Sequence, residues 1–182
     1  SVSLVNLGIV FDWQGNNDKA LECYNRSLTI AEEYGEKDDI AFALFNIGGI
    51  YGNQNDFERA RGYFNRSLEL REDMGDKRGI AKCLTDIGTT YQKKNNHQEA
   101  IKLASNALEI AQSVGSVSQI SEASQTLYLS FSALDENRKA LEMYELHIQM
   151  RDSIMSEDNQ REVIRQEYKY DYEKQALADS IT

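Results

Sequence analysis

The 182-residue sequence contains no proline. Nothing in it therefore deletes a backbone N–H or kinks a helix as a pyrrolidine ring does. Cysteine is almost as scarce: Cys23 and Cys83 are too few for a disulfide framework or a zinc site. His97 and His147 stand alone and form neither a metal site nor a triad, so the sequence indicates no catalytic residue, no metal and no cofactor. No apolar run approaches 18 residues, the length that reads as a membrane span. Basic residues are in deficit, 20 against 30 acidic, for a formal net charge of −10. That balance argues against nucleic acid and anionic membrane surfaces, which need positive patches. With 41% hydrophobic residues, the chain still has enough apolar side chain to order itself around a core.

What the sequence has in abundance is itself. Residues 41–80 and 81–120 align at an offset of 40 without a gap, and the same frame extends to 1–40 and 121–160. Each residue then has a column within its unit. Column seven holds Leu7, Ile47, Ile87 and Leu127; column eight holds Gly8, Gly48, Gly88 and, departing, Tyr128. Column eleven is aromatic throughout: Phe11, Tyr51, Tyr91 and Phe131. Column twenty is always alanine: Ala20, Ala60, Ala100 and Ala140. Columns four, seven, eight and eleven trace one helical face, and columns twenty to thirty-one trace a second. Polar clusters such as Gly15-Asn16-Asn17 and Asn55-Asp56 separate the two helices, and Gly35, Gly75 and Gly115 fit a glycine stop past the second. A lone helical pair cannot bury both apolar faces, so the units must stack.

This pattern resembles the tetratricopeptide repeat. In unit two the matching residues are Leu44, Ile47, Gly48, Tyr51, Ala60, Phe64 and Ser67. Two departures stand out. The closing proline near column thirty-two is replaced by Glu32, Glu72, Gln112 and Asp152, and the unit has 40 residues against the common 34 or so. The long unit is similar to those of kinesin light chain and the Leu-Gly-Asn repeat proteins, with extra residues lengthening both helices around the inter-unit loop. The resemblance implies an all-α fold, a right-handed α-α solenoid of four helix pairs (1–40, 41–80, 81–120 and 121–160) plus a C-terminal capping or linker helix over 161–182. It also implies a protein or peptide ligand in a concave groove lined by the first helices, at columns two, five, six, nine, twelve and thirteen. The groove candidates are Asn6, Trp13, Phe42, Phe45, Asn46, Lys82, Asp86 and Lys93.

Each candidate also has a plainer reading. Column six, with Asn6, Asn46, Asp86 and Thr126, is either a polar ladder that grips a peptide backbone or a solvated face. The carboxylate clamp of some relatives is only partly matched, because Val2 and Asp86 stand where cations belong. Units one and four each carry 3 basic and 8 acidic residues, so an acidic ligand would settle only in the middle, near Lys82, Lys93 and Lys94; the alternative there is again a solvated face. Trp13 is either a groove anchor or a residue left exposed at the first unit. Asn25-Arg26-Ser27 and Asn65-Arg66-Ser67 match the glycosylation sequon but occupy one repeat column inside a helix. Gly48, Gly49 and Gly52 lack the strand that precedes a phosphate loop.

Residues from Arg161 read as a helix, with Val163, Tyr170, Leu177 and Ile181 on one face and Ile164, Tyr168 and Tyr172 on another. One face is expected to cover unit four and the other to meet a second chain in a homodimer. The stretch from Arg151 to Lys174 resembles the junction in bacterial sensor proteins that leads into a histidine kinase or class III nucleotide cyclase. The chain starts at Ser1 inside a helix, so a fragment with further sequence upstream is expected, its chemistry, if any, residing in an output module outside it. Cytoplasmic and periplasmic placement both stay open, as does membrane attachment of a longer protein. The function implied is a scaffold for protein or peptide recognition in a larger bacterial signalling protein; the alternative is a self-association module that dimerises an output domain.

Overall fold

The computed structural model describes residues 2–179, with side chains for residues 3–158, 160–161 and 165. The described residues form helices and the short turns between them, with no strand. Four helices open the units: α1 (Val2–Trp13), α3 (Lys37–Asn53), α5 (Lys77–Lys93) and α7 (Val117–Ala133). Four return: α2 (Asn17–Tyr34), α4 (Phe57–Met74), α6 (His97–Ser113) and α8 (Asn137–Asp179). Each helix packs on the next in the chain, and α5 also packs on α7, which makes the assembly a solenoid.

Turn chemistry repeats with the period. Column fifteen holds Gly15, Asn55, Asn95 and Asp135, all left-handed, with φ of 72°, 61°, 60° and 57°. Glycine, asparagine and aspartate are the residues that tolerate that region best. The next residue caps the returning helix: Asn16, Asp56 and Asn96 accept from the backbone N–H of Lys19, Arg59 and Glu99 at 3.3, 3.1 and 3.4 Å. Gly35 and Gly75 end α2 and α4 in the left-handed conformation, and their N–H groups return to carbonyls of the last turn.

In unit four the column of Gly35, Gly75 and Gly115 is occupied by Met155. Without a residue suited to positive φ, the helix does not stop. The returning helix of unit four and the C-terminal helix are therefore one unbroken α8 of 43 residues. At about 1.5 Å per residue it is about 65 Å long, far longer than the α7 it packs against. The apolar stripes expected from Val163 onward involve side chains that lie outside the described residues.

Packing explains the small columns. Ala20, Ala60 and Ala100 are fully buried. A Cβ added to Gly8 would come within 2.6 Å of the Tyr24 ring, and one on Gly48 within 2.7 Å of Phe64. In unit three the ring is replaced by Ala104, and a Cβ on Gly88 would meet nothing closer than 3.4 Å. Unit four has lost the glycine, and Tyr128 there meets Tyr144 edge-on, with centroids 5.3 Å apart. Between units one and two, Tyr24 and Leu28 of α2 form one buried cluster with Ala43, Leu44, Ile47 and Ile50 of α3.

One buried polar network ties α3, α4 and α5 together. Ser67 donates to the Ala41 carbonyl at 2.7 Å, and Arg71 donates to Ser67 and pairs with Asp76. Asp76 also accepts from the Gly79 N–H at 3.0 Å, capping α5. Any side chain at Gly79 would collide with Arg71 and Asp76. Cys23 and Cys83 are buried free thiols in separate units. Ser27 and Ser67 of the two sequons are fully buried, as their packing column requires.

Candidate functional site

The opening helices α3, α5 and α7 place their inner columns along one face. Between α5 and α7 lies a hollow of about 360 Å³, lined by Lys82, Thr85, Asp86, Thr89, Gln92 and Lys93 from α5 and by Glu122, Gln125, Thr126 and Leu129 from α7. These are columns two, five, six, nine, twelve and thirteen of unit three and their counterparts in unit four. A second hollow of about 230 Å³ adjoins it on the α3 side, with Gly49, Gly52, Asn53, Phe57, Phe64 and Thr90 in its wall. Asp86, Thr89 and Lys93 belong to both.

The electrostatics centre on Lys82. Its ammonium lies 2.6 Å from Glu122 and 3.7 Å from Asp86, with the Phe45 ring 5.8 Å away. Lys82 and Glu122 occupy column two of successive units, one helix apart across the hollow. Burial alone would lower the lysine, but Asp86 and then Glu122 outweigh it and hold it above its ordinary value. Asp86 is pushed up to about 6, chiefly by desolvation; Lys82 opposes the shift and Glu122 adds to it. Beside them the hydroxyls of Thr89 and Thr126 are 3.0 Å apart, and Thr89 donates to the Thr85 carbonyl at 2.9 Å. The wall thus mixes an ion pair, a carboxyl near its titration point, hydroxyls and amides, which suits the hydrogen-bonding groups of a polypeptide.

Of the residues singled out in the sequence, Lys82, Asp86 and Lys93 converge on these hollows. Phe45 sits next to them, its ring centroid 5.4 Å from that of Phe64 with the two rings tilted by 42°. Asn46 spends one N–H on its own helix, donating to the Phe42 carbonyl at 2.8 Å. Phe42 and Asn6 are exposed on α3 and α1, away from the hollows. Trp13 is 84% exposed at the end of α1. The cations proposed for an acidic ligand are already engaged: Lys82 as above, Lys94 with Glu58 at 2.7 Å, and Lys93 over the Phe57 ring at 6.0 Å. Sequence reasoning did not find the Lys82–Glu122 pair or the part played by Phe57 and Thr90. The first had a signal, since both residues share a column; Phe57 and Thr90 lie in columns outside the inner face. His147 is not isolated, because its Nδ1 lies 3.0 Å from the Ser121 hydroxyl. No group of three or more His, Cys, Asp or Glu side chains is placed to hold a metal ion among the described residues.

Comparison with known proteins agrees with this architecture. Models of the tetratricopeptide repeat match residues 1–73 and 80–114, together more than half of the chain. No curated protein sequence matches it. Among solved structures, BtubC (BKLC) from P. vanneervenii is similar over 83% of this chain and 63% of its own, with 24% identity and a TM-score of 0.73. The apo form of RapI is similar over 86% of this chain and 57% of its own, with 21% identity and a TM-score of 0.78. The TPR domain of Arabidopsis FLU matches over 64% of this chain and 98% of its own, with 23% identity and a TM-score of 0.60. At these identities the likeness is one of fold. The chain spans about three fifths of the length of BtubC and RapI. Such repeats are non-catalytic scaffolds suited to protein interaction. The chain belongs to the tetratricopeptide repeat family, with the all-α, right-handed superhelical fold of that family.

Proposed function

We propose that the chain binds an extended segment of a partner protein along the inner face of α3, α5 and α7. The observation that carries this reading is the pair of adjoining hollows that share Asp86, Thr89 and Lys93. A pair of hollows in line accepts successive residues of one strand-like peptide, while Thr, Gln and Asn side chains can serve its backbone. The Lys82–Glu122 pair fills the place where a carboxylate clamp would need an unengaged cation, so the segment is internal or neutral rather than an acidic C-terminus. Asp86, reluctant to ionise, would accept hydrogen bonds from a peptide amide or a cationic side chain.

Selection of random decapeptides against the chain, followed by fluorescence anisotropy on the labelled winners, tests the proposal. Phe45→Ala with Asn46→Ala, and separately Asp86→Ala, should each weaken binding at least several-fold, since lost hydrogen bonds cost about 0.5–1.5 kcal/mol each. Unchanged affinity in both variants would move the site off this face. The wider context proposed is a sensory or interaction region within a larger bacterial signalling protein. It is supported by the junction-like sequence from Arg151 to Lys174 and by the uninterrupted course of α8 past Ile154. The reading as a dimerising module is favoured by that same extension, because a helix running beyond α7 offers a surface to a second chain. Truncation after Gln160 separates the two: a dimer lost with peptide affinity intact favours the module.

A further inference from the structure

Two glycines of the inner face have no packing reason to be glycine. A Cβ on Gly49 would meet nothing within 4 Å, and one on Gly52 only the Ala60 Cβ at 3.9 Å. Both stand in α3, and after proline glycine is the least favourable residue in a helix. At Gly48, by contrast, Phe64 leaves no room for a side chain. In the other units column nine holds Ile9, Thr89 and Leu129, and column twelve holds Asp12, Gln92 and Ser132. What the bare backbone of unit two leaves is the hollow of about 230 Å³ on the α3 side. At about 30 Å³ per water, that is space for several waters or for one large side chain. Gly62 is equally open, but it is exposed on α4 and lines neither hollow. The wall of the hollow has two kinds of surface. Phe57 and the buried Phe64 supply ring carbon. Asp86 supplies a carboxyl with acceptor capacity to spare, because Lys82 stands off at 3.7 Å and gives its close contact, 2.6 Å, to Glu122.

We propose that this hollow is a subsite for one tyrosine side chain of the bound segment, its ring against Phe57, Phe64 and the bare backbone at Gly49 and Gly52, and its hydroxyl donating to Asp86. The inference rests on the reading that a peptide lies along this face, and it adds which side chain fixes the register of that peptide. An aromatic ring matches the apolar part of the wall, and a phenol hydroxyl on a carboxylate makes a short, charge-assisted hydrogen bond. A lysine or arginine would bring a third cation to a carboxyl that Lys82 and Lys93 already attend. A purely apolar side chain would cover the carboxyl and leave its acceptor capacity unused, which costs desolvation without return. The two glycines thus give up helix propensity for room, and the room faces a donor-seeking group.

Random decapeptides selected against the 182-residue chain, with anisotropy titrations of the winners, test it. The winners should share a tyrosine at one common position. Changing that tyrosine to phenylalanine should weaken binding about three- to tenfold, and in Asp86→Ala the two peptides should bind alike, because the hydroxyl has lost its acceptor. Gly49→Leu fills the hollow and should weaken binding about tenfold or more while circular dichroism shows intact helices. Gly49→Ala and Gly62→Ala should both raise the urea midpoint, by roughly 0.3–1 M, yet only the first should weaken binding. If Gly49→Leu does not fold, the cycle between Asp86 and the phenol hydroxyl decides alone. Winners with a basic or aliphatic residue at the shared position would overturn the subsite, as would full affinity in a folded Gly49→Leu. Either result leaves peptide binding on the inner face standing, whereas a selection that yields no binder overturns both.

Discussion

Gly48 and Gly88 share a repeat column, yet alanine should act on them in opposite directions. At Gly48 the new methyl would lie 2.7 Å from two Phe64 ring carbons and 3.2 Å from the Ala60 carbonyl oxygen. The ring is buried and the carbonyl is backbone, so neither yields cheaply. Overpacking of this kind costs about 1–3 kcal/mol, against a helix-propensity gain of about 1 kcal/mol for alanine over glycine. The net expectation is a loss of up to about 2 kcal/mol. At Gly88 the nearest atoms are the Ala100 oxygen at 3.4 Å and the Ala104 nitrogen and Leu103 Cβ at 3.5 Å, which is ordinary contact. Only the propensity gain remains, so Gly88→Ala should stabilise by up to about 1 kcal/mol. Urea denaturation followed at 222 nm reads both; for a slope of about 1–3 kcal/mol per M, the midpoints should move apart by roughly 1 M. Adding Phe64→Ala to Gly48→Ala should recover part of what the methyl costs, since it reproduces the Gly88–Ala104 pairing with the methyl accommodated. Equal destabilisation at both glycines would refute the claim that the ring in column twenty-four dictates the residue in column eight.

Asp76→Ala should cost about 1–3 kcal/mol in the same assay, because it removes the α5 cap and strands the buried Arg71 guanidinium; Asp76→Asn, which can still cap, should cost less. Burial works against ionised Asp76, but the Gly79 N–H and Arg71 outweigh it and hold its carboxyl below the usual range. Its contribution is therefore complete above the unfolded value near pH 4 and should fade as pH falls through the folded value, a slope that Asp76→Asn abolishes. Asp86 has the opposite sign. Its folded value of about 6 means that the native state holds the proton more tightly, so this group's contribution declines as pH rises from about 4 to about 6. Thermal melts at pH 4, 5, 6 and 7 should show that decline flattened in Asp86→Asn.

The fold was legible in the sequence because the columns encode it redundantly. Glycine, asparagine or aspartate in column fifteen marks a left-handed turn, and alanine in column twenty marks a close helix approach. The continuity of α8 was written in the same frame: Met155 replaces a glycine stop, yet it is easily read only as one more substitution in an irregular last unit. The site was less legible. Periodicity assigns columns to the inner face, and the ten residues around the α5–α7 hollow come from those columns. It does not say how charges across that face pair off. Lys82, read as a cation open to an acidic ligand, is engaged by Glu122 one unit along and by Asp86 one turn along. Nor does it say how two asparagines of one column differ in their surroundings: Asn46 is half-buried and donates to the Phe42 carbonyl, while Asn6 is exposed on α1.

The central claim is that a polypeptide segment lies along the inner face of α3, α5 and α7. Backbone amide shifts of the ¹⁵N-labelled chain, titrated with a selected decapeptide, test it most directly. The expected shifts cluster at Phe45, Asn46, Thr85, Asp86, Thr89 and Gln125, leaving the outer faces of α2, α4 and α6 unmoved. Shifts confined to those outer helices would contradict it.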